Sequence, residues 1–362
     1  MLKGNFITQG KKIDEFEKLI AQKTGAKYAV VFSSGTAALH SACFAGGIEK
    51  EDEVITTPIT FCASANCVLY CGGTPVFADI NPETYNIDIK SIKKKISNKT
   101  KAIIPVHFTG QPCEMDMILK IADKYGLTVI EDGAHALGAK YHDKKIGSIG
   151  DMTVFSFHPV KHITTGEGGA VTTNDRKIYE KLLKFRTHGI TKKSNSKKAL
   201  QEPWYYRQEF LGYNYRLTDI QAALGISQLK KLDMFVKKRL EIAKMYNEAF
   251  ESVKEIVIPK QIKGASSSWH IYVIQLKLEA LGVGRKEIFD ELKEKGLGVN
   301  VHYIPVYYHP HYKELGYKKG ICPNAEQLYE RIITIPLFPK MSKKDIEYVI
   351  KSVKSTVKKY RK

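Results

Sequence analysis

The segment SFHPVKHITTGEGGAVTTN, residues 156–174, contains a lysine in an unusual setting. Lys161 lies in a turn-forming stretch between an apolar β-type run and a series of glycines, whereas lysines are mostly exposed to solvent. A lysine fixed in such a turn can serve as a nucleophilic amine. A solvated or phosphate-pairing lysine is the alternative interpretation, so the neighbouring segments must decide between the two.

Two further segments carry groups that would complement such an amine. After YAVVF comes SSGTAALHSACFA, a glycine-containing turn that leads into a helix, so the free N–H groups of Gly35 and Thr36 would face an anion. The run LTVIED ends in Asp132, a carboxylate at the edge of the sheet where open α/β proteins bind ligands. Each signal alone is weak, because an ordinary helix N-cap or a surface acid also explains it.

Taken together, these groups match one cofactor. Pyridoxal phosphate (PLP) requires a lysine amine for its aldehyde, a carboxylate for its pyridine nitrogen and a cup of donors for its phosphate. Phe61, which follows the apolar run DEVITT, is available to stack on the ring. The combination of Lys161, Asp132, Gly35 and Thr36 therefore predicts a PLP enzyme.

An alternation of short apolar runs and helical patterns predicts the scaffold that positions these residues. Segments with helical period, such as EMDMILKIADKYG, separate the strand candidates, which favours parallel strands joined by crossover helices. We expect an α/β fold with a large, mostly parallel sheet in a domain of residues 1–240. The strand candidates of this sheet are residues 28–34, 52–57, 74–80, 101–108, 127–132, 153–157 and 169–174.

The remaining residues predict a small α/β domain over residues 241–362. From Leu217 to about Glu251 the apolar positions recur three and four apart, which predicts one long helix bridging the two domains. The elements expected after it are a strand at 269–276, a helix at 285–296, a strand at 298–305 and a helix from about Ser342.

Composition restricts the class of protein. The 362 residues are 43% hydrophobic and 26% charged, which is typical of a globular chain. No apolar run reaches the length of a membrane span, and MLKGNFITQG lacks the apolar core of a signal peptide, so we expect a cytoplasmic protein with no membrane partner. The six cysteines form no C-x-x-C pair, which predicts reduced thiols and no metal site.

The formal net charge of +19 does not predict nucleic-acid binding. The lysines are spread along the chain, in runs such as KSIKKKISNKTK, and are not interleaved with aromatic residues on one element. Solvated lysine-rich faces explain this pattern, and an anionic small substrate would suit the same charge.

The order of several motifs resembles the DegT/StrS family of nucleotide-sugar aminotransferases, which are fold-type I PLP enzymes. The resemblance covers almost the whole chain, from ITQGKKIDEFE to IPLFPKMSKKDI. Within the family the chain is most similar to aminotransferases of pseudaminic acid biosynthesis, which implies transfer of an amino group from glutamate to C4 of a UDP-4-keto-6-deoxy-N-acetylhexosamine. The motifs that carry the resemblance are SSGTAAL, TPITFCASAN, VIEDGAHALGA, SFHPVK, ITTGEGGAVTTN, FRTHG, LGYNYRLTDIQAALGISQL and VHYIPVY.

This resemblance also implies roles for individual residues. Lys161 is the implied catalytic Schiff-base lysine, and Asn214 is implied to reach the phosphate of a neighbouring subunit's cofactor, which implies a homodimer with shared active sites. The implied cofactor-binding residues are Gly35, Thr36, Phe61, Asp132, His135, Ser156, Lys161 and Asn214. The implied substrate-binding residues are Asn5, Phe6, Ile7, Thr8, Ser34, Tyr303 and Tyr307.

Other functions fit the sequence less well. An aldolase lysine would need neither the phosphate cup nor Asp132, and a dehydrogenase would need G-x-G-x-x-G after a first strand, whereas TGEGG has different spacing. Another nucleotide-sugar aminotransferase, of the GDP-perosamine type or the UDP-4-amino-arabinose type, stays open. Family chains usually begin with a further segment before ITQGKK, so a truncated relative with altered activity is also open.

Overall fold

The computed structural model describes residues 6–191, 202 and 204–362. Within these ranges the helices are α1 Lys11–Thr24, α2 Gly35–Ala45, α3 Ala63–Tyr70, α4 Ile89–Lys95, α5 Met115–Tyr125, α6 Arg176–Phe185, α7 Asp219–Leu229, α8 Leu232–Phe250, α9 Arg285–Glu294, α10 Pro310–Glu314, α11 Pro323–Arg331 and α12 Lys343–Lys359. Short 3₁₀ turns are formed by Phe108–Gly110, Leu278–Ala280 and Val306–Tyr308.

The strands alternate with these helices in the first part of the chain. They are β1 Tyr28–Phe32, β2 Glu53–Thr56, β3 Thr74–Phe77, β4 Thr100–Ile104, β5 Thr128–Asp132, β6 Lys140–Tyr141, β7 Lys144–Lys145, β8 Met152–Ser156, β9 Gly169–Thr173, β10 Ile190–Thr191, β11 Arg207–Gln208, β12 Ile256–Val257, β13 Ala265–Ser266, β14 Tyr272–Leu276 and β15 Ile332–Ile335.

A seven-stranded sheet forms the centre of the molecule, with strand order β1-β9-β8-β5-β4-β2-β3. Strands β8, β5, β4, β2 and β3 pair in parallel, and β9 runs antiparallel to both of its neighbours. Strands β8 and β9 are buried almost throughout, because helices cover both faces of the sheet. The predicted α/β fold with a large, mostly parallel sheet is confirmed, and each predicted strand of this sheet is present.

The single bridging helix predicted for Leu217 to Glu251 is wrong, since the structure has two helices there. Helix α7 begins at a capping box in which Thr218 and Gln221 bond each other's backbone N–H groups. It ends at Leu229, and the chain turns at Lys231, whose φ of −98° and ψ of −5° depart from helical values. Because Leu229 and Leu232 are both buried, the apolar period continues across the break and conceals it. The boundary predicted between residues 240 and 241 lies inside α8.

The predicted strand at 298–305 is also wrong. Only an isolated bridge joins Asn300 to Thr334, and the strand beside β14 is β15, which was not predicted. The four buried residues of β15, three of them isoleucines, directly follow helix α11, so the sequence pattern does not mark where the helix stops. The predicted strand near 269–276, the helix at 285 and the terminal helix are confirmed, with Ser342 as the N-cap of α12.

The C-terminal elements have a core of their own. Strands β12, β14 and β15 form an antiparallel sheet, and α8, α9 and α12 pack against it. Among the described residues, no helix combines the length and apolar character that crossing a bilayer requires.

Candidate active site

A cavity of about 510 Å³ lies at the carboxyl ends of strands β1, β5 and β8. This is the edge at which open α/β sheets bind their ligands. Most residues that the sequence nominated for the cofactor meet here, and two of those nominated for the substrate join them. The nominated residues that line the cavity are Ser34, Gly35, Thr36, Phe61, Asp132, His135, Ser156, Lys161 and Tyr303.

The N-terminus of α2 and the end of β8 form one wall of this cavity. Ser34 caps the helix by accepting a hydrogen bond from the N–H of Ala37 at 3.1 Å. The N–H groups of Gly35 and Thr36 belong to the first helical turn and therefore have no intrahelical acceptor. A Cβ at Gly35 would lie 3.0 Å from Cβ of Ser156, so glycine allows the helix to begin close to the Ser156 hydroxyl. Free N–H groups, a hydroxyl and a helix N-terminus together form a cup suited to a phosphate.

Asp132 ends β5 and is buried at the floor of the cavity. Its carboxylate accepts hydrogen bonds from Ser64 Oγ at 2.6 Å and from the N–H of Ala134 at 3.1 Å. Because Ser64 gives its hydroxyl proton to Asp132, Thr60 Oγ1, 2.7 Å from Ser64 Oγ, must donate to Ser64. Ser64 and Thr60 were missed by sequence reasoning. Their positions close to Phe61, three residues apart from it and one residue before it, were the available signal, with Ser64 in the first turn of α3 and Thr60 before that helix.

Glu131, the neighbour of Asp132, points away from the cavity. It is fully buried and accepts hydrogen bonds from His107 Nε2, the N–H of Gly150 and Thr153 Oγ1, at 2.7–2.8 Å. Successive side chains of a strand face opposite sides of the sheet, so anchoring Glu131 on one side presents Asp132 on the other. The two carboxylates therefore have separate functions.

Lys161 lies in the loop that joins β8 to β9. Its N–H donates to the carbonyl of His158 at 2.9 Å, and its side chain forms no hydrogen bond to any residue that the structure describes. Loss of water around the amine lowers the pKa of Lys161 to about 8, against the attraction of Asp132, which raises it. A substantial neutral fraction near physiological pH makes this amine a potential nucleophile and base.

A histidine and a tyrosine face this amine from the other side. Nε2 of His135 lies 3.2 Å from Oη of Tyr303, and Nδ1 of His135 is buried without a partner in the described chain. Burial, with a smaller effect from the charge of Lys161, lowers the pKa of His135 well below its usual value. Loss of water raises the pKa of Tyr303, so its hydroxyl keeps its proton.

Further residues from outside the sequence-based set line the cavity, and three of them are ionisable. His158 and Glu167 lie at the rim, and His302 lies beside Tyr303. Loss of water and the charge of Lys161 lower the pKa of His302 to about 4. His158 and Glu167 belong to the same β8–β9 loop as Lys161, and His302 precedes Tyr303 in VHYIPVY, but nothing in these motifs singles the three residues out.

The other nominated residues lie elsewhere. Tyr307 is fully buried among aromatic side chains and donates its hydroxyl proton to Glu326 at 2.7 Å, so it does not line the cavity. Asn214 is exposed and outside the cavity. Phe6, Ile7 and Thr8 are exposed near the start of α7, also outside it. Asn5 lies outside the described residues.

The residues present fit PLP. The phosphate cup, the carboxylate of Asp132 and an amine free of hydrogen bonds open onto one cavity, with the exposed ring of Phe61 at its side. The described residues contain no cluster of His, Cys, Asp or Glu side chains that could hold a metal ion. All six cysteines are free thiols.

Comparisons with known proteins agree with this site. Residues 1–354 match the model of the DegT/DnrJ/EryC1/StrS aminotransferase family. A UDP-4-amino-4,6-dideoxy-N-acetyl-beta-L-altrosamine transaminase of Campylobacter jejuni is 42% identical, with 100% of this chain and 94% of that protein covered. The structure of Helicobacter pylori PseC, an aminotransferase of pseudoaminic acid biosynthesis, superposes with a TM-score of 0.92 at 35% identity, covering 99% and 94% of the two chains.

A sugar aminotransferase from Streptococcus pneumoniae, Spr1654, provides a further structural match. Its PMP form superposes with a TM-score of 0.93 at 32% identity, over 99% of this chain and 94% of that one, and it has also been solved in a PLP form. The chain described here belongs to the DegT/DnrJ/EryC1/StrS aminotransferase family. It is a PLP-dependent sugar aminotransferase of fold-type I.

Proposed function

We propose that this enzyme transfers the amino group of glutamate to C4 of a UDP-4-keto-6-deoxy-N-acetylhexosamine, in the biosynthesis of pseudaminic acid. The observation that carries the proposal is the amine of Lys161, free of hydrogen bonds in a cavity that also holds Asp132 and the phosphate cup. The choice of substrate is supported by the names of the Campylobacter jejuni and Helicobacter pylori relatives.

The cofactor residues have distinct tasks in this proposal. Gly35, Thr36 and Ser156 would hold the phosphate of PLP, Asp132 its pyridine nitrogen, and Phe61 one face of its ring. When bound, PLP withdraws electrons from the carbon that loses a proton in transamination. Ser64 keeps the Asp132 carboxylate in place by donating a hydrogen bond to one of its oxygens.

Lys161 carries the proton in this reaction. Its neutral amine accepts a proton at Nζ from the substrate carbon and later returns it as an ammonium. A pKa of about 8 keeps both forms available near neutral pH, which an ordinary lysine does not achieve. Tyr303, held at His135, closes the cavity beside Lys161 and excludes water from it.

The charge of the protein suits an anionic acceptor. A net charge of +19 attracts a nucleotide sugar and glutamate, both of which are anions. Among the carboxylates of the described chain, only Asp132 and Glu167 line the cavity, and Asp132 is held by Ser64 and by a backbone N–H.

A substrate screen tests this proposal. The purified holoenzyme is incubated with glutamate and the 4-keto-6-deoxy form of a UDP-N-acetylhexosamine, a GDP-hexose or a dTDP-hexose. Mass spectrometry then follows replacement of the carbonyl by an amine. We expect the UDP sugar to be aminated at C4 and Lys161→Arg to be inactive, since arginine keeps the charge but has no nucleophilic amine. Faster amination of the GDP sugar would assign a perosamine-type function, and an active Lys161→Arg enzyme would overturn the role of Lys161.

We infer that the enzyme is a homodimer in which Asn214 completes the active site of the partner subunit. Asn214 is exposed and outside the cavity of its own chain, so it is available to a second copy. Large apolar side chains on the same stretch are also exposed, with Leu211 at 72% and Ile220 at 49%. Such side chains are typical of a surface that another subunit covers.

A further inference from the structure

A short buried segment, Ser267–His270, passes behind the cavity. Each of its four residues is buried, although it follows an exposed stretch of the chain and precedes β14. Trp269 has a φ of +48°, a conformation that costs a bulky residue free energy and persists only where the surroundings fix it. The contacts of this segment therefore require an explanation.

The first contact leads to Lys161. His162, the next residue in the chain, is buried and donates from Nε2 to the carbonyl of Ser268 at 3.0 Å. Its Nδ1 is buried without a partner in the described chain. An apolar side chain of similar size would avoid an unsatisfied nitrogen. The bond to Ser268 is the one specific interaction that the imidazole provides here.

The second contact leads to His135. Oγ of Ser268 donates to the carbonyl of His135 at 2.9 Å, and the ring of His270 lies 4.4 Å from the ring of His135. His135 in turn faces Tyr303 at 3.2 Å. One serine thus bonds to His162 through its carbonyl and to His135 through its hydroxyl.

The segment is itself fixed from two sides. The N–H groups of Ser268 and His270 donate to the carbonyls of Gly110 and Thr109, at 3.1 and 2.8 Å. On the other side, Nη1 of the buried Arg239 in α8 donates to the carbonyls of Trp269 and His270, at 3.2 and 2.7 Å. These bonds hold Trp269 in its unfavourable conformation and make the segment a rigid support.

We propose that the Ser267–His270 segment is a positioning element of the active site. It holds Lys161 through His162, and it holds His135 together with Tyr303 through Ser268. The inference rests on the proposed roles of Lys161 and Tyr303, but the position of the lysine can be measured without any substrate.

The first test asks whether Lys161 is positioned by the hydrogen bond that His162 donates or only by the volume of the His162 side chain. His162→Gln can place a side-chain N–H near the position of Nε2, whereas His162→Met fills space without a donor. The readout is the pH dependence of acylation of Lys161 in the apoprotein, measured by competitive labelling and mass spectrometry. The ionisable groups that act on this amine or are affected by it are Asp132, His135, His162, His270 and His302.

We expect the glutamine variant to keep the wild-type labelling midpoint and the methionine variant to shift it upward, because a loosened Lys161 regains water. If the pKa rises by about one from about 8, the reactive fraction at pH 8 falls about five-fold. His40→Met is the matched control. His40 is buried like His162 and has a hydrogen-bond partner in Tyr215 Oη, but it does not line the cavity. Equal midpoints in the glutamine and methionine variants, or the same shift in the His40 variant, would overturn the proposal.

The second test removes the hydrogen bond from the Ser268 hydroxyl to the carbonyl of His135. Ser268→Ala keeps the carbonyl that His162 uses and removes the hydroxyl that binds His135. We expect unchanged Lys161 labelling in the apoprotein, together with a shifted pH midpoint of the cofactor absorbance in the holoprotein. A wild-type absorbance midpoint would contradict a role for Ser268, whatever the outcome of the substrate screen.

Discussion

Lys161 is a base held in a cavity wall where its charged form is poorly solvated. The structure offers it Asp132 as the attractive charge, and this attraction does not offset the loss of water. Its pKa is therefore about 8, compared with 10.5 for an ordinary lysine. The residue proposed to perform the chemistry is therefore one whose charged form the fold destabilises.

Replacement of Lys161 by methionine should stabilise the apoprotein in a pH-dependent way. The folded-state pKa lies below the unfolded one, so the penalty for the charged amine is fully present below pH 8 and fades toward pH 10.5. We expect a gain of about 2 kcal/mol in the free energy of unfolding at pH 7 and less than half of that at pH 10. Urea denaturation at pH 7 and at pH 10 measures this gain in the free energy of unfolding. Lys90→Met, on an exposed lysine, serves as the control and should show no such gain.

Asp132→Asn should bind cofactor yet turn over slowly. The phosphate cup and Lys161 stay intact, but the pyridine nitrogen loses its charged partner, worth about 1.5–3 kcal/mol. We expect turnover to fall about 10- to 100-fold in steady-state assays. Ser64→Ala keeps the carboxylate and should lose only about 1 kcal/mol, or about five-fold. An Asp132→Asn enzyme with near-normal turnover would refute the proposed role.

Residues whose place in the secondary structure can be read from the sequence could be predicted, and a residue brought in by the convergence of distant loops could not. Lys161, Asp132 and Gly35 stand at the ends of strands or the start of a helix, where position in the sequence dictates position in the fold. His302 reaches the cavity because its loop, far along the chain, converges on the loop of Lys161, whereas Glu167 lies in the loop of Lys161 itself. A sequence contains no local signal for such convergence.

At the scale of elements, the 3₁₀ turn at Phe108–Gly110 meets the Ser267–His270 segment, and the contact leaves no room for a side chain. Gly110 has a φ of +99°, and a Cβ there would lie 2.7 Å from the carbonyl oxygen of His135 and 2.9 Å from the nitrogen of Trp269. Both of these neighbours are backbone atoms, which cannot rotate away. The glycine is therefore required where two parts of the chain dock behind the cavity.

Gly110→Ala should lower the free energy of unfolding by about 2–4 kcal/mol, the sum of left-handed strain and the displaced backbone. Gly126→Ala is a matched control, since Gly126 also has a positive φ, of 63°, but no atom lies within 4 Å of the added Cβ. We expect this control to lose only about 1–2 kcal/mol. Equal losses in chemical denaturation of the two variants would show that the docking contact is not tight.

The strands of the large sheet were predictable because each is a short apolar run between helical patterns. The single helix predicted for Leu217 to Glu251 and the missed strand β15 are errors at places where buried apolar residues continue past the end of a helix. Leu229 and Leu232 keep the apolar period across a turn, and the apolar residues of β15 follow α11 directly. Hydrophobic periodicity reports which face is buried, and it does not report where the backbone changes direction.

At the scale of the whole molecule, two inactive variants should complement each other if active sites are shared. A Lys161→Ala chain and an Asn214→Ala chain are coexpressed with different tags. In the mixed dimer one of the two sites has both residues intact, so the doubly purified protein should have about half of the wild-type activity. Activity assays of the doubly purified protein measure the restored fraction of the wild-type activity. Separately purified variants that are mixed only in the assay serve as the control, and a fully active monomer in sedimentation would contradict the dimer.

The antiparallel strand β9 has a mechanical consequence for the loop that carries Lys161. The loop that carries Lys161 leaves the sheet at Ser156 and returns at Gly169, and these two residues are paired neighbours in the β8–β9 ladder. Lys161 therefore belongs to a hairpin whose two stems are clamped in the middle of the sheet. Two further bonds, from the N–H of Phe157 to Gly168 and from the N–H of Thr165 to Phe157, close the base of the loop beyond the ladder. If Lys161 carries the proton and Ser156 binds the phosphate, both groups therefore stand on one hairpin whose base is fixed in the sheet.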